Sequence, residues 1–301
     1  MPAPLFIGSG VALVMPFGED GIEETVLRDI VRFQIREGTD ALVVNGSTGE
    51  AAAMSPVEQR RAVEVVVEEA NGKIPVIAGC GGSDTAVVAK LARAAREVGA
   101  DALLVSAPPY NKPPQAGLVA HFRAVLAAGD LPLIVYNVPS RTACNLLPAT
   151  IEEIAADPRV VGVKEASGNI VQVAELARRL GERLTLYSGN DDQVVALLAL
   201  GGKGVISVLG NIAPALVSRM VHRFLAGDLA EARALQLGFL PLIAALFSEP
   251  NPIPIKAAMS AIGFPVGAMR LPLVPMTEPG RRELLARMRE MEIVEPEGAH
   301  A

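Results

Sequence analysis

Arg159-Val160-Val161-Gly162-Val163-Lys164-Glu165-Ala166-Ser167-Gly168-Asn169 runs a short apolar stretch directly into a lysine. β-Branched residues without polar alternation describe a strand covered on both faces, as in a parallel sheet. Lysine is costly at the end of such a strand, because desolvating an ammonium takes several kcal/mol unless it is paired or deprotonated. Glu165 offers one partner, and snorkelling to water is a second way out. Loss of the proton is the third, and it is chemically useful. A neutral amine adds to a ketone and forms a Schiff base.

Working outward, similar apolar runs predict strands at 11–16, 41–45, 75–79, 102–106, 133–137, 160–164, 184–188 and 204–208. Amphipathic helical patterns separate them at 22–37, 56–71, 84–98, 115–128, 148–156, 170–180 and 191–200. Ser55-Pro56 marks one helix start, with a capping hydroxyl followed by a proline suited to the first turn. Eight strands alternating with helices predict an α/β fold, a (β/α)8 TIM barrel, over residues 1–226. A doubly wound sheet is the alternative, but no Gly-x-Gly-x-x-Gly follows the first strand. After the eighth strand the pattern is purely helical, at 213–226, 228–247, 252–263 and 278–292. Residues 227–301 are accordingly expected to form an all-helical C-terminal domain.

The chain has 301 residues, half of them hydrophobic and 20% charged, so a large core is easily filled. A net charge of −6 argues against nucleic acid or an anionic membrane as the main partner. The N-terminus carries no basic stretch ahead of an apolar one, and the apolar runs read as too short or too broken to span a bilayer. The expectation is a soluble, cytoplasmic chain. Two cysteines, Cys80 and Cys144, make no disulfide framework, and His121, His222 and His300 show no metal-ligand spacing.

In a TIM barrel the chemistry gathers where strands end and lead into helices. Those positions here hold Asn45-Gly46-Ser47-Thr48-Gly49-Glu50, then Pro108-Pro109-Tyr110-Asn111, then Tyr136-Asn137-Val138-Pro139-Ser140-Arg141-Thr142, then Lys164 and Ser188-Gly189-Asn190. Gly46–Gly49 reads either as an ordinary hydroxyl-capped turn or as a cradle for a small carboxylate. Two of the three tyrosines fall at these mouths, where a phenol beside a neutral lysine can pass protons. Arg141 is placed to clamp a carboxylate bidentately, or else to form a surface ion pair. Converging at one mouth, these groups describe a Schiff-base site for a 2-oxo acid.

The chain resembles the dihydrodipicolinate synthase family of the N-acetylneuraminate lyase superfamily. The resemblance runs from Gly10–Phe17 through Gly46–Glu50, Tyr136–Thr142, Gly162–Asn169 and Gly204–Val208 to Asn251-Pro-Ile-Pro-Ile-Lys256 and Arg270–Pro275. It implies condensation of pyruvate with L-aspartate 4-semialdehyde, a step toward diaminopimelate and lysine. Lys164 would form the pyruvate imine, Ser47 and Thr48 would hold its carboxylate, and Arg141 would hold that of the semialdehyde. Tyr136, Ser47 and Tyr110 would relay protons, Tyr110 reaching in from a neighbouring subunit of a homotetramer built as a dimer of dimers. Gly189 and Ile206 match positions whose backbone lines the pocket. No metal or organic cofactor is implied. The family usually has threonine where Ser47 stands, and the sialic acid lyases often carry Gly-Ser-Thr-Gly-Glu. Arg141 separates the two, because lyases binding a polyol chain typically lack it. A lyase or dehydratase acting on a sugar-derived 2-oxo acid, such as N-acetylneuraminate, is the alternative. A non-catalytic barrel is the third reading, disfavoured by retention of Lys164, Tyr136, Tyr110 and both loop hydroxyls. In feedback-sensitive relatives L-lysine binds at the tight-dimer interface. Positions matching that site carry Pro56, Gln59, Ser83, Val87 and Pro109, without the glutamate and tyrosine the ligand needs.

Overall fold

The apolar runs form the staves of a closed parallel barrel. The computed structural model describes residues 4–294, and eight strands close in the order β1-β8-β7-β6-β5-β4-β3-β2. These are β1 Gly8–Ala12, β2 Ala41–Val44, β3 Val76–Cys80, β4 Ala102–Ser106, β5 Leu133–Asn137, β6 Val160–Glu165, β7 Thr185–Ser188 and β8 Gly204–Ser207. Alternation along each strand divides the side chains between two cores. Ile134, Tyr136, Tyr187 and Ile206 fill the barrel with Phe6 and Ala12. Val135, Val163 and Leu186 belong to the larger core between strands and helices. Register places Lys164 between Tyr136 on β5 and Tyr187 on β7. The pairing jumps from Leu133–Val160 to Ile134–Gly162, so Val161 is skipped. That irregularity brings Gly162 and Lys164 into phase with Ile134 and Tyr136.

Small residues make room inside the barrel. A Cβ on Gly162 would stand 2.9 Å from Thr185 O and 3.1 Å from Tyr187 Cε2, so glycine lets the Tyr187 ring lie below Lys164. Tyr187, the third tyrosine, stacks on Phe6 at 4.3 Å and donates its hydroxyl to Phe6 O at 2.7 Å. It closes the floor.

Helices α1 Glu24–Arg36, α2 Pro56–Ala70, α3 Thr85–Glu97, α4 Gln115–Gly129, α5 Pro148–Ile154, α6 Ile170–Leu180, α7 Val194–Ala199 and α8 Pro214–Leu225 surround the strands. Ser55 and Glu58 form a reciprocal capping box on α2, and Asn169 caps α6 by accepting from Val171 and Gln172 N–H. Helices α9 Leu229–Leu246, α10 Ile253–Ala261 and α11 Glu278–Glu290 follow.

The structure departs from the sequence reading in particular places. The first strand lies at Gly8–Ala12, earlier than the expected 11–16. Leu13, Val14 and Met15 are fully buried but lie beyond the paired residues, Leu13 N–H making a last bond to Val43 O, so apolarity marked burial rather than pairing. Gly10 sits within the strand because a Cβ there would meet the Phe6 ring at 2.9 Å. A small antiparallel pair, Phe17–Gly18 with Gly21–Ile22, and a helical turn at Pro139–Thr142 were not anticipated. The expected helix 191–200 splits into a 3-10 turn, Asp191–Gln193, followed by α7. Helix α9, 18 residues with a mean hydropathy of 1.4, passes as long and apolar enough to cross a bilayer by length and composition alone, although Glu231 and Arg233 interrupt it as the membrane reading expected. Its Gly238 and Pro241 do not break it, and it packs on α8 and α11 through buried residues such as Phe239, Leu242 and Leu246. His300 lies outside the described residues.

Candidate active site

A cavity of about 530 Å³ opens at the C-terminal ends of the strands, the size of a small-molecule site. Lys164 and Tyr136 form its base, and Ser47, Thr48, Arg141 and Gly189 stand in its wall. Two strands and three loops therefore bring six of the sequence-derived residues to one place. Gly189 is required first by Ala166 and also gives Lys164 room. A Cβ there would come within 2.7 Å of Ala166 Cβ and 3.2 Å of Lys164 Cε, so glycine leaves the side chain its path.

Lys164 is buried, and burial depresses its pKa to about 7. The Asp191 carboxylate opposes that shift and the Arg141 guanidinium reinforces it. Glu165 plays no part, because it faces outward from the barrel. Its carboxylate accepts from Ser167 N at 2.7 Å and from Asn137 Nδ2 at 3.1 Å. A lysine held near neutral pH is a nucleophile at physiological pH. Its Nζ lies 4.3 Å from the centre of the Tyr136 ring, whose face would stabilise a cationic iminium at that nitrogen. Burial pushes the Tyr136 phenol up to about 12, which keeps it a proton donor, while Arg141 pulls in the other direction.

The loop 46–50 is a 3-10 turn, Ser47–Gly49, closed by Glu50 in a left-handed conformation at φ 52°. Ser47 is exposed to the cavity, whereas Thr48 is buried. Arg141 sits on the Pro139–Thr142 turn, exposed, and no ion pair engages it among the described residues. The surface ion pair weighed for it is not formed. Its charge is available to a ligand.

Two candidates lie elsewhere. Tyr110 projects away from the chain at 86% exposure, with φ 72°, and does not reach the cavity wall. Ile206 is fully buried within the barrel core, and Val208 further along reaches the wall instead. His121 is buried beside Thr85, and His222 meets Asp40. Among the described residues no cluster of histidine, cysteine, aspartate or glutamate is arranged to hold a metal.

Sequence reasoning missed three contributions. Asp191 is fully enclosed, and its carboxylate accepts from the Ser207 hydroxyl and from Val208 and Leu209 N–H at 3.0 and 2.9 Å. The C-terminal helical region closes one side of the cavity through Phe247, Glu249 and Asn251. Lys256, read as a residue of the helical tail, is buried and bonds Glu50 at 2.8 Å beneath the 46–50 loop. The available signal was polar Asn251 and Lys256 set in the apolar, proline-bounded segment 250–256.

The Dihydrodipicolinate synthetase family model matches residues 5–291. The 4-hydroxy-tetrahydrodipicolinate synthase of Thermoanaerobacter pseudethanolicus is 52% identical over 91% of this chain and 93% of its own length. The solved dihydrodipicolinate synthase of Thermotoga maritima is 39% identical, with a TM-score of 0.94 over 96% of this chain and all of the other. A structure described as a monomeric dihydrodipicolinate synthase variant also gives 39% identity and a TM-score of 0.94, covering 96% and 98%.

Proposed function

The chain belongs to the Dihydrodipicolinate synthetase family, and from that premise we propose how its site works. It condenses pyruvate with L-aspartate 4-semialdehyde to 4-hydroxy-tetrahydrodipicolinate, a carbon–carbon lyase-type step of lysine and diaminopimelate biosynthesis. The observation that carries the mechanism is the buried, unpaired Lys164 at the mouth of the barrel. Its neutral amine adds to the pyruvate ketone, and loss of water leaves an iminium over the Tyr136 ring. Removal of a methyl proton gives the enamine that attacks the aldehyde carbon, whose oxygen takes up a proton; the semialdehyde's own amine then adds to the imine carbon, closing the ring and releasing the Lys164 amine. Ser47 and Thr48 hold the pyruvate carboxylate, and Arg141 holds that of the semialdehyde. Gly189 and Val208 complete the pocket, and Ile206 underlies it in the barrel core. Tyr136, Ser47 and a neighbouring copy's tyrosine, equivalent to Tyr110, carry the protons.

The assembly belongs to the same proposal: a homotetramer built as a dimer of dimers, working in the cytoplasm. Tyr110, Leu271 and Val57 are 77–86% exposed on one chain, and Val171 and Leu237 are exposed at 73% and 58%. Apolar side chains standing so far out favour burial against other copies. Division into a barrel over 1–226 and a helical domain over 227–301 is likewise proposed. The turn between α8 and α9, with Gly227 at φ 91°, supports it.

Two measurements test the reading. Purified protein should consume pyruvate only when aspartate semialdehyde is present, and should release none from N-acetylneuraminate. The opposite pattern would assign it to the sugar-acid lyases, which the unengaged Arg141 disfavours. Mixing inactive Tyr110→Phe and Lys164→Ala chains should restore activity in mixed oligomers. A mixture that stays inactive while subunits exchange would rule out the shared site.

A further inference from the structure

Thr48 and Asn251 come from opposite ends of the chain and meet in the cavity wall. Asn251 Nδ2 donates to Thr48 Oγ1 at 3.0 Å, and both residues are more than nine-tenths buried. Among the described residues no other hydrogen bond engages the Thr48 hydroxyl, and Asn251 Oδ1 has no protein partner. The contact is anchored on both sides. Five residues beyond Asn251, Lys256 binds Glu50, two residues beyond Thr48, and Glu50 also accepts from Arg270 N at 2.9 Å.

A hydroxyl owns one proton and two lone pairs. With the asparagine N–H directed into one lone pair, the proton has no use on the protein and is left for the cavity. The reversed amide would take that proton on Oδ1 and turn the hydroxyl away from the cavity. It would also leave both N–H donors without partners, whereas the present amide leaves one N–H and the carbonyl oxygen, and orphaned N–H groups are the rarer in protein interiors. The polarity of the amide therefore fixes Thr48 as a donor.

We propose that Asn251 is a positioning residue which makes the Thr48 hydroxyl donate to the carboxylate of the 2-oxo acid. This rests on the reading that Thr48 holds that carboxylate. Asn251 touches no reacting atom; it acts through Thr48. An aspartate at this position would accept the proton that asparagine leaves free, and would set a negative charge beside the substrate anion.

Steady-state kinetics on Thr48→Val, Asn251→Leu and the double variant tests this. Each single change should raise the KM for pyruvate about tenfold with kcat within about threefold, as expected when one ground-state hydrogen bond to an anion is lost. The double variant should show the same rise of about tenfold rather than about a hundredfold, because both changes remove one interaction. Asn251→Asp should exceed Asn251→Leu, with a rise of at least about thirtyfold. A double variant near a hundredfold would mean that Asn251 acts by packing alone and would overturn the proposal, as would an unchanged KM in Asn251→Leu. An unchanged KM in Thr48→Val would overturn the carboxylate reading of Thr48 along with it, locating the fault there. Borohydride trapping of the Lys164 imine at saturating pyruvate confirms a folded site in each variant. If Asn251→Leu does not fold, Asn251→Ala completes the same cycle.

Discussion

Lys164 and Lys256 are both buried, at 5% and 2% exposure, and the protein treats their charge in opposite ways. Lys256 keeps a carboxylate within 2.8 Å, a second acceptor in Ala268 O at 3.1 Å and the Phe17 ring 4.9 Å away. Lys164 has a ring at 4.3 Å and no carboxylate in hydrogen-bonding range, only the more distant charges of Asp191 and Arg141. Burial lowers the pKa of Lys256 as well, but there the bonded Glu50 carboxylate opposes the shift and satisfies the ammonium. Lys164 is left unsatisfied, and the proton is what gives way. The contrast separates an ion-paired lysine from one without a bonded carboxylate, and so marks Lys164 as the proposed nucleophile without reference to any substrate.

Substitution should therefore affect the two sites in opposite senses. Lys164→Ala should abolish borohydride-trapped pyruvate adduct and reduce turnover on the order of 10⁴–10⁶-fold, the scale of losing a covalent nucleophile. Its thermal transition should not fall by more than the loss of packing explains. Peptide mapping of the wild-type adduct should find the label on Lys164, and label on any of the other lysines would break the comparison at its root. Lys256→Met should destabilise the fold by about 3–5 kcal/mol, because it strands the Glu50 carboxylate in the interior. Glu50→Gln in the same chain should recover most of that loss. Urea unfolding of the three variants decides, and an Lys256→Met chain as stable as wild type would show the pair to be dispensable.

Titration sharpens the contrast. Imine formation needs the neutral amine, so its rate should fall about tenfold per unit as pH drops below about 7, where Lys164 titrates. Asp191→Asn removes the charge that raises this pKa and should move the midpoint down, whereas Arg141→Ala should move it up. The same shift links to stability. The unfolded lysine keeps its proton to about 10.4. Between about 7 and that value the unfolded chain holds a proton that the folded one lacks, so stability should rise with pH by at most about 1.4 kcal/mol per unit. This contribution is complete above the unfolded pKa and lost as pH falls through the window. Lys164→Met should abolish the slope, and an unaltered slope in that variant would assign it to other groups.

The sequence disclosed the proposed nucleophile but not its counterpart, for a physical reason. Lys164 terminates an unbroken apolar run, so both its burial and its place at the mouth follow from local pattern. Lys256 sits in a helix whose burial depends on docking against a loop some two hundred residues earlier, and periodicity carries no record of that partner. Asp191 was hidden likewise, since a polar pair after a strand reads as an ordinary turn until the Ser207 and Leu209 donors are seen. The strands were legible from apolarity except at β1, where Gly8, crowded by Asp40, and Gly10, crowded by the Phe6 ring, mask the pairing residues. Tyr110 was legible as a mouth residue, yet one chain alone leaves it outside the cavity.

Free L-lysine offers a third ammonium to test the rule drawn from the other two. A second cavity of about 790 Å³ lies beside the first and gathers Pro56, Gln59, Ser83, Val87 and Pro109, the residues matching the family's lysine site. Glu50 is the one carboxylate in its wall, and it is already committed to Lys256 and to Arg270 N. Unlike Lys256, an ammonium entering here finds no free carboxylate. Unlike Lys164, it belongs to a ligand that can stay in water at no expense to the fold. Losing the carboxylate partner removes roughly 3–5 kcal/mol, at least two orders of magnitude in affinity. L-Lysine should therefore inhibit the condensation weakly or not at all, once the synthase assay has established that reaction. Half-inhibition below about 1 mM, an affinity beyond roughly 4 kcal/mol, would show that other residues rebuild the site and that carboxylate pairing is not what decides where this protein accepts a buried ammonium.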